Sequence, residues 1–326
     1  MRLVVFAPNW LGDAVMSLPA LADLRRAAPD AQIDVAARAA VAPLFTLVPG
    51  IQETITIQDR GEAVRRLRER RYDAALLLPN SFNAAFIARK AAIPERWGYR
   101  SDCRALLLSR AIAVPARLHQ AEYYQHLTRR LGFASGPPEP RLEVRAELRD
   151  TAAALLTTAG WDGRRPLVAC APGAAYGGAK RWPAASFGEL TGDLSGQGVT
   201  VVLIGSAADR AAGDQLLALL RPGTAALDLI GLTSLPDLAA VLTQCRALVT
   251  NDSGAMHLAA ALGVSVTAMF GPTNERETRP LGPGRRIVLT HRVWCRPCML
   301  RECPLTHRCM RGISVDAVRE ATQAAL

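Results

Sequence analysis

Short apolar runs alternate with segments of helical periodicity along nearly the whole chain, and this alternation constrains the fold more than any other feature. In the first half the runs read RLVVFA, QIDVAA, ETITI and YDAALLLP, each followed by a stretch suited to a helix. A second set follows, with PLVACAP, VTVVLIG, ALDLIG, ALVT and SVTAMFG. Strands separated by helices form parallel sheets with right-handed crossovers and helices on both faces. The sequence therefore predicts an α/β protein with two Rossmann-like, doubly wound domains.

A segment rich in proline and glycine separates the two sets. It reads GFASGPPEPRLEV and precedes a helical pattern from Arg145 to Ala159. Because proline and glycine interrupt regular structure, we place the hinge at residues 136–145, between domains of residues 1–145 and 146–326. The chain ends in a capped helical pattern, Ser314 to Leu326, which we expect to pack back on the N-terminal domain.

Composition supports a globular protein with two cores, because 50% of the 326 residues are hydrophobic. No apolar stretch reaches the roughly eighteen residues of a membrane span. The N-terminus shows no basic flank, apolar signal core or cleavage site, so we expect a cytoplasmic protein.

The chain is basic, with 39 Lys and Arg against 29 Asp and Glu and a formal charge of +10. Such a field favours anionic partners, which include nucleic acid, anionic lipid and phosphorylated small molecules, unless it serves solubility alone. Aromatic residues are only 5% and do not alternate with the bases, so a stacking platform for single-stranded nucleic acid is disfavoured. Only Lys90 and Lys180 are lysines, which marks both positions as candidates for a compact cation.

Ligands of parallel α/β sheets bind beyond the carboxyl ends of the strands, and the second domain has three informative turns there. The glycine-rich CAPGAAYGGAKRWP lets amides approach a phosphate and ends in Lys180 and Arg181, although its spacing is not that of a P-loop. In VTNDSGAMHLAAALG a strand ends at Asn251 and a helix begins near Gly254, whose amide end suits a pyrophosphate. In VLIGSAADRAAG, Asp209 either accepts from a ribose or starts a helix.

These turns supply the predicted donor-binding residues. Within the second turn, Asp252 orders the loop, and His257 either packs in the core or reaches the same anion. The predicted donor site comprises Gly173, Ala174, Ala175, Lys180, Arg181, Gly205, Asp209, Asn251, Asp252, Ser253, Gly254 and His257.

The first domain has a carboxylate where a phosphate would otherwise bind. In FAPNWLGDAVMSLPAL an apolar run leads through a short turn into a helix, and Asp13 is predicted to cap that helix. The positive helix end keeps the carboxylate ionised. If the donor phosphates occupy the second domain, Asp13 is available to take a proton from an acceptor hydroxyl; the alternative is a purely capping role.

Five segments together resemble glycosyltransferase family 9, the ADP-heptose:lipopolysaccharide heptosyltransferases, and most closely the subtype that adds the second heptose. They are NWLGDAVMSLPAL, RYDAALLLPNSF, PGAAYGGAKRWP, VVLIGSAAD and VTNDSGAMHLAAAL, in the family's order and spacing over nearly the whole chain. The resemblance implies the GT-B fold, with two Rossmann-like domains facing a central cleft, the acceptor on the N-terminal domain and the nucleotide sugar on the C-terminal domain. Ala175 stands where this subtype often has an acid.

The resemblance also implies roles and substrates. Asp13 matches the family's proposed catalytic base, Lys180 the residue that holds donor phosphate, and Asp252, Ser253, Gly254 and His257 the donor-binding turn. The implied reaction moves L-glycero-D-manno-heptose from ADP-heptose to the first heptose of a lipid A-anchored core, heptosyl-Kdo2-lipid A, at the inner face of the inner membrane. We expect a single inverting displacement, with peripheral membrane contact and no nucleic-acid partner. The chain shows no convincing DxD motif, so no divalent metal cofactor is expected.

Acceptor contacts are predicted from the turns of the first domain. LPNSF ends a strand there, so its polar residues suit sugar hydroxyls, while the following arginines suit carboxylates and phosphates unless they are solvated surface. The predicted acceptor residues are Asn9, Trp10, Gly12, Asn80, Ser81, Arg96 and Arg100, with Arg104 next in the same series.

A cysteine cluster near the C-terminus departs from the best-known members. Cys295, Cys298, Cys303 and Cys309 either bind structural zinc or another metal or are reduced thiols in a basic loop over the cleft. Structural disulfides are not expected in the cytoplasm.

Three other functions remain open from the sequence: a family 9 transferase with a different heptose or acceptor position, a non-transferring GT-B sugar-nucleotide epimerase, and a nucleic-acid-binding module. The epimerase needs no acceptor base at Asp13, and the third predicts salt-sensitive DNA binding.

Overall fold

A computed structural model describes all residues from Met1 to Leu326 and divides them into two units, Met1–Glu143 and Val144–Leu326. The division falls within the segment 136–145 in which the sequence placed the hinge. Each unit is a six-stranded sheet whose paired strands are all parallel. No helix in the chain is both long and apolar enough to span a bilayer.

Unit 1 has the strand order β3-β2-β1-β4-β5-β6. Its strands are β1 (Arg2–Phe6), β2 (Gln32–Arg38), β3 (Thr54–Ile57), β4 (Ala74–Leu77), β5 (Glu95–Tyr99) and β6 (Arg110–Ile112). Its helices are α1 (Leu11–Met16), α2 (Leu18–Ala27), α3 (Arg60–Arg70), α4 (Phe82–Lys90) and α5 (Gln120–Arg130), with short 3-10 helices at Ala42–Leu47 and Ala105–Leu107. Right-handed crossovers run outward from β1 and from β4 in opposite directions, so the helices cover both faces of the sheet. Helix α2 packs with α5 on one face, and α3 packs with α4 on the other.

Unit 2 repeats this topology with the order β9-β8-β7-β10-β11-β12. Its strands are β7 (Leu167–Ala171), β8 (Thr200–Leu203), β9 (Ala226–Asp228), β10 (Ala247–Asn251), β11 (Ser265–Phe270) and β12 (Arg286–Thr290). Its helices are α6 (Ala146–Thr158), α7 (Ala184–Gly196), α8 (Arg210–Leu217), α9 (Leu235–Gln244), α10 (Gly254–Ala261), α11 (Glu275–Thr278), α12 (Arg308–Arg311) and α13 (Val315–Gln323), with 3-10 helices at Gly178–Lys180 and Ala207–Asp209.

Local sequence explains these elements. Strands β4, β7, β8 and β10 are buried along their whole length, as expected for apolar strands covered by helices on both faces. Side-chain caps begin several helices: Ser81 Oγ accepts from the amide of Ala84 at 3.4 Å, and Ser234 forms a capping box with Asp237. These signals are local, so they could be found without the tertiary fold.

All nine apolar runs that the sequence marked as strands contain strands, and the helix predicted near Arg145 to Ala159 is α6. Strands β5, β6 and β12, which lie at or next to a sheet edge, were not predicted. Strand β5 reads ERWGY and β6 has only three residues, so neither gives an apolar run. The terminal helix α13 packs against α7 and strands β10, β11 and β12 of its own unit, where the sequence had suggested the other domain.

Candidate active site

The strand order of the unit 2 sheet reverses between the parallel neighbours β7 and β10, and both turns that follow these strands carry predicted donor residues. Strands β7 and β10 are parallel neighbours, with Ala171 aligned to Thr250. Their carboxyl ends therefore open side by side at a topological switch point, the usual ligand position in such sheets. Topology thus brings the Lys180 turn and the Asp252 turn together.

Side-chain contacts join the two turns directly. Lys180 Nζ donates to Asp252 Oδ2 at 2.6 Å, and the Thr273 hydroxyl donates to the same oxygen at 2.6 Å. Both charged side chains are largely buried, with 12% of Lys180 and 6% of Asp252 exposed. The ammonium also lies 4.7 Å from the centre of the Tyr176 ring. Asp252 therefore fixes Lys180 beside the turn and balances its charge.

Asn251 holds the backbone of the glycine-rich loop through three hydrogen bonds. Its Nδ2 donates to the carbonyls of Pro172 at 2.9 Å and Gly173 at 3.1 Å, while its Oδ1 accepts from the amide of Trp182 at 2.9 Å. The residue is buried, and it uses both ends of its amide on the glycine-rich loop. Asn251 is thus a positioning residue for the glycine-rich loop.

Asp209 marks a helix start, one of the two roles that the sequence left open for it. Its Oδ2 accepts from the amide of Ser206 at 2.9 Å and from the hydroxyl of Ser206 at 2.8 Å, as part of a capping box. The same side chain lies against Gly173, where an added Cβ would be 2.0 Å from Asp209 Oδ1. Gly173 is therefore required for this close approach, and Gly205 also lies against Asp209.

The remaining donor residues divide by exposure. Helix α10 begins at Gly254 with Ser253 as its N-cap, and the Ser253 and Thr250 hydroxyls are 2.9 Å apart. Arg181 and Ala175 are exposed, whereas Ala174 is buried. His257 is 4% exposed, and it lies in a stretch of α10 that is buried throughout, which favours the packing alternative for it.

A segment that the sequence analysis did not connect with the donor site holds the glycine-rich loop. The amide of Ala179 donates to the Arg301 carbonyl at 2.9 Å, the amide of Gly178 to Glu302 Oε1 at 2.9 Å, and the Tyr176 hydroxyl to the Met299 carbonyl at 2.8 Å. We call residues 299–302 the clamp segment.

Close packing at Gly177 belongs to the same contact. An added Cβ there would lie 2.3 Å from the Arg301 carbonyl oxygen, so only glycine fits without displacing the clamp segment. In the sequence, only the adjacent pair Gly177–Gly178 indicated a close contact at this loop. The pair was interpreted as space for a phosphate, but the clamp segment occupies part of that space.

The four clustered cysteines flank the clamp segment. Burial raises the pKa of Cys309, and the neighbouring thiols Cys295, Cys303 and Cys298 raise it further, so the four lie in one region. Nevertheless, no three His, Cys, Asp or Glu side chains are grouped as a metal ion requires. The zinc site, one of the two alternatives that the sequence left open, stays a prediction that metal analysis of the purified protein tests.

Unit 1 has the equivalent switch point, between β1 and β4. The two strands are parallel neighbours, with Phe6 aligned to Leu77, so the turns that follow them open side by side. One turn carries Asn9, Trp10, Gly12 and Asp13, and the other carries Asn80 and Ser81. The structure thus brings the predicted base and the predicted sugar-binding residues to one edge of one sheet.

Asp13 is not the cap of its helix. The N-cap of α1 is Trp10, without a side-chain cap bond, and Asp13 is the third helical residue. The prediction of a capping role is therefore wrong in detail, although the acid still lies in the first turn, where the helix dipole favours it. Burial raises the pKa of Tyr124 in α5, and the negative charge of nearby Asp13 raises it further.

The acceptor turns show mixed roles. Asn80 Nδ2 donates to the Tyr123 hydroxyl at 2.7 Å, which leaves the amide oxygen of Asn80 for other partners. Ser81 uses its hydroxyl to cap α4. Asn9 and Trp10 are exposed.

Two of the three arginines in the predicted series serve the fold. Arg96 is 9% exposed and donates to the carbonyls of Leu107, Ile93 and Pro94 at 2.6–2.7 Å. Arg104 is fully buried and donates to the carbonyls of Tyr99 and Ser81 at 2.9 and 3.2 Å, and burial lowers its pKa to about 10. The expectation that Arg96 and Arg104 bind the acceptor is therefore not supported, whereas Arg100 is exposed.

A cavity of about 590 Å³ lies elsewhere in unit 2. Its lining includes Arg246 and Val264, which precede β10 and β11, so it opens at the amino ends of these strands. The donor turns follow the carboxyl ends, so this cavity does not belong to the site.

The two doubly wound units have the architecture of GT-B glycosyltransferases. The profile of glycosyltransferase family 9 (heptosyltransferase) matches residues 60–308. The chain belongs to this family.

Known relatives agree with that assignment. Lipopolysaccharide heptosyltransferase 2 of Salmonella typhimurium is 36% identical over 305 residues, which cover 88% of this chain and 88% of that protein. The protein of the same name from Escherichia coli K12 is 35% identical over 305 residues, with 88% of each chain covered. The solved structure of E. coli ADP-heptose LPS heptosyltransferase II is similar with a TM-score of 0.87 and 33% identity, covering 100% of this chain and 98% of that one.

Proposed function

We propose that this protein transfers heptose from ADP-heptose to the first heptose of the lipopolysaccharide inner core, as a cytoplasmic enzyme at the inner face of the inner membrane. The contact between Lys180 and Asp252 carries the proposal, because it unites two turns of the donor motif at a switch point. Family membership and the relatives named heptosyltransferase 2 support the reaction and the subtype. They favour a transferase over the epimerase alternative.

The proposed chemistry is a single displacement. As the acceptor oxygen attacks the anomeric carbon, its proton passes to Asp13 and the bond from that carbon to the diphosphate breaks, with ADP leaving from the opposite face. A positioned base of this kind contributes about a hundredfold to ten-thousandfold in rate. The product therefore has the inverted configuration.

Charge on the departing diphosphate is met by groups of unit 2. Lys180 supplies a point charge beside the turn, and the amides at the start of α10 supply dipoles. Because Asp252 already neutralises Lys180, donor phosphate competes with a carboxylate for the ammonium. We propose that the reaction needs no divalent cation, so transfer should persist in excess EDTA.

Asn80, Ser81 and the exposed Arg100 are proposed as acceptor contacts. Their supporting observation is placement: the β4 turn with Asn80 and Ser81 lies beside the turn that carries Asp13, and Arg100 follows β5, the next strand of the sheet. An amide oxygen and a cation suit the hydroxyls and acidic groups of a sugar acceptor.

The test compares wild type with Asp13→Ala, using ADP-heptose and a heptose-I-bearing core acceptor. We expect kcat to fall by about a hundredfold or more while the Kd for ADP, measured by calorimetry, stays unchanged. Asp30→Ala is the matched control, since Asp30 is an exposed acid of the same unit. Equal turnover by the Asp13 variant would refute the base, and absence of transfer by wild type would refute the reaction.

A further inference from the structure

One face of unit 1 combines exposed apolar tips with a surplus of cations. We call it the α3–α4 surface: helices α3 and α4 with the short helix Ala105–Leu107. Leu106 is 98% exposed, which is extreme for a leucine on a short ordered helix, and Phe82 at the start of α4 is 44% exposed. Neither position is explained by the core or by the site described above.

Hydrogen bonds hold these two tips near each other. The amide of Phe82 donates to Asp102 at 2.5 Å, and Arg104 donates to the carbonyl of Ser81 at 3.2 Å. Helix α4 also packs against the short helix that carries Leu106. The apolar tips are therefore fixed parts of the fold, which lowers the entropic cost of using them in binding.

Cations surround the apolar tips. Phe86 stacks on Phe82 with ring centres 6.1 Å apart, and the charged groups of Arg60 and Lys90 lie 5.5 and 5.6 Å from the centre of the Phe86 ring. The Arg68 guanidinium donates to the Lys90 carbonyl, which ties α3 to α4. Aromatic rings beside cations suit the boundary between lipid headgroups and acyl chains.

The net charge of this surface is positive. Its cations are Arg60, Arg65, Arg66, Arg68, Arg70, Arg89 and Lys90, and its acids are Asp59, Glu62, Glu69 and Asp102. Glu69 lies 3.3 Å from Arg65 and Glu62 lies 3.7 Å from Arg66, and Arg70 pairs with Glu53 outside the surface, so three of the seven cations are offset by acids. The remaining cations are complementary to an anionic partner.

We propose that the α3–α4 surface docks on an anionic lipid bilayer, with Leu106 and Phe82 inserted at the headgroup level and the basic side chains on lipid phosphates. Helix α4 begins directly after the Asn80–Ser81 turn, so docking would bring a lipid-anchored acceptor to that turn. This last step rests on the proposed function. A bilayer is favoured over a nucleic acid because the apolar tips would find no partner on a phosphate backbone.

The experiment sediments the full chain with vesicles of phosphatidylcholine, with or without about a third phosphatidylglycerol. We expect wild type to bind the anionic vesicles and to be released by high salt, since the attraction between exposed charges is screened. Arg89→Glu/Lys90→Glu should weaken binding at least tenfold, because each basic residue near an anionic surface contributes about fivefold. Leu106→Ser should also weaken binding to anionic vesicles, although it leaves the net charge unchanged.

Arg129→Glu/Arg130→Glu is the matched control. These residues also form an exposed pair in the last turn of a helix, but α5 lies on the opposite face of the same sheet. Equal loss by this control would show general charge attraction and overturn the assignment, as would failure of wild type to bind anionic vesicles. A dimer in light scattering that Leu106→Ser dissociates would identify a subunit interface instead and overturn it.

Transfer to a lipid-free core oligosaccharide separates this inference from the proposed function. The Arg89→Glu/Lys90→Glu variant should transfer to that acceptor at the wild-type rate, while transfer to acceptor in anionic vesicles falls. If the variant loses transfer to both acceptors, membrane docking is not the role of Arg89 and Lys90. If wild type binds vesicles but transfers to neither acceptor, the proposed function fails and the docking surface stands.

Discussion

Lys180 and Asp252 are each other's main charged partner, and this pairing determines what a single substitution does. Breaking a buried ion pair by removing one partner costs about 3–5 kcal/mol, because the other charge is left without compensation. The pair is buried here but its lysine keeps some solvent contact, which places the expected cost at the lower end of that range.

We therefore expect Lys180→Ala to lower the free energy of unfolding by about 3 kcal/mol. Lys180→Ala/Asp252→Asn should recover part of this loss, since no unpaired charge remains, while ADP binding stays weak in both. Urea unfolding and calorimetry measure the two quantities. Losses that simply add in the double variant would contradict a coupled pair.

His126 makes a pH-dependent contribution to the stability of the folded protein, and its hydrogen bonds indicate its neutral tautomer. The Tyr99 hydroxyl lies 2.6 Å from the Tyr123 carbonyl and 2.8 Å from His126 Nδ1. A carbonyl only accepts, so the Tyr99 proton goes to it and His126 donates from Nδ1. Burial lowers the pKa of His126, and the positive charges of Arg129 and Arg130 lower it further.

The folded protein consequently binds this proton less readily than the unfolded chain. Stability from this group is present above the ordinary histidine pKa of about 6.5 and falls as the pH drops below it, until the lowered folded pKa is passed. We expect the Tm of wild type to fall more steeply than that of His126→Asn between about pH 7 and pH 5. Parallel Tm curves for the two proteins would contradict this.

At the scale of elements, the clamp segment is the least anticipated feature of the donor site. Three hydrogen bonds and one close glycine contact connect residues 299–302 to the loop that carries Lys180. A loop held at several points loses less entropy when it binds a ligand. The clamp should therefore influence donor affinity although it lies outside the family's donor motifs quoted above.

Glu302 allows a clean test of the clamp. Glu302→Ala removes the acceptor of the Gly178 amide, so we expect a severalfold rise in the KM for ADP-heptose with little change in kcat. Glu302→Gln keeps a carbonyl oxygen at the same reach and should restore most of the affinity. Gly192→Ala serves as control, because an added Cβ there meets nothing within 4 Å. A KM that Glu302→Ala leaves unchanged would contradict the clamp.

At the scale of the whole molecule, one topology occurs twice with different chemistry at its switch point. Unit 1 presents a carboxylate after β1, and unit 2 presents a lysine paired with an acid after β7 and β10. An anionic nucleotide should therefore bind to unit 2 alone.

Hydrogen exchange can locate that binding. With ADP we expect slower exchange of amides in residues 173–182 and 252–256, and no change in residues 8–13 and 79–84. Lys180→Ala, which weakens donor binding, should reduce the protection at equal ADP concentration. Protection centred on the turns of unit 1 would contradict the division of roles between the units.

The sequence by itself determined the parts of this protein that depend on neighbouring residues. Buried parallel strands are continuous apolar runs, so nine of the twelve strands, the fold class and the turns with chemical character could all be read along the chain. Strands β5 and β6, which read ERWGY and RAI, escaped because neither is an apolar run, and β12, which reads RIVLT, is a short edge strand that is only partly buried.

Only the tertiary structure decided which side chains meet. Lys180 and Asp252 are 72 positions apart, and Gly178 and Glu302 are 124 apart, so their contacts depend on strand order and loop path rather than on local pattern. Tertiary packing also decided the roles of Arg96 and Arg104. Their charge suggested ligand binding, but both are buried and donate to backbone carbonyls. Periodicity is a local property, whereas burial and partner choice arise only when distant segments pack together.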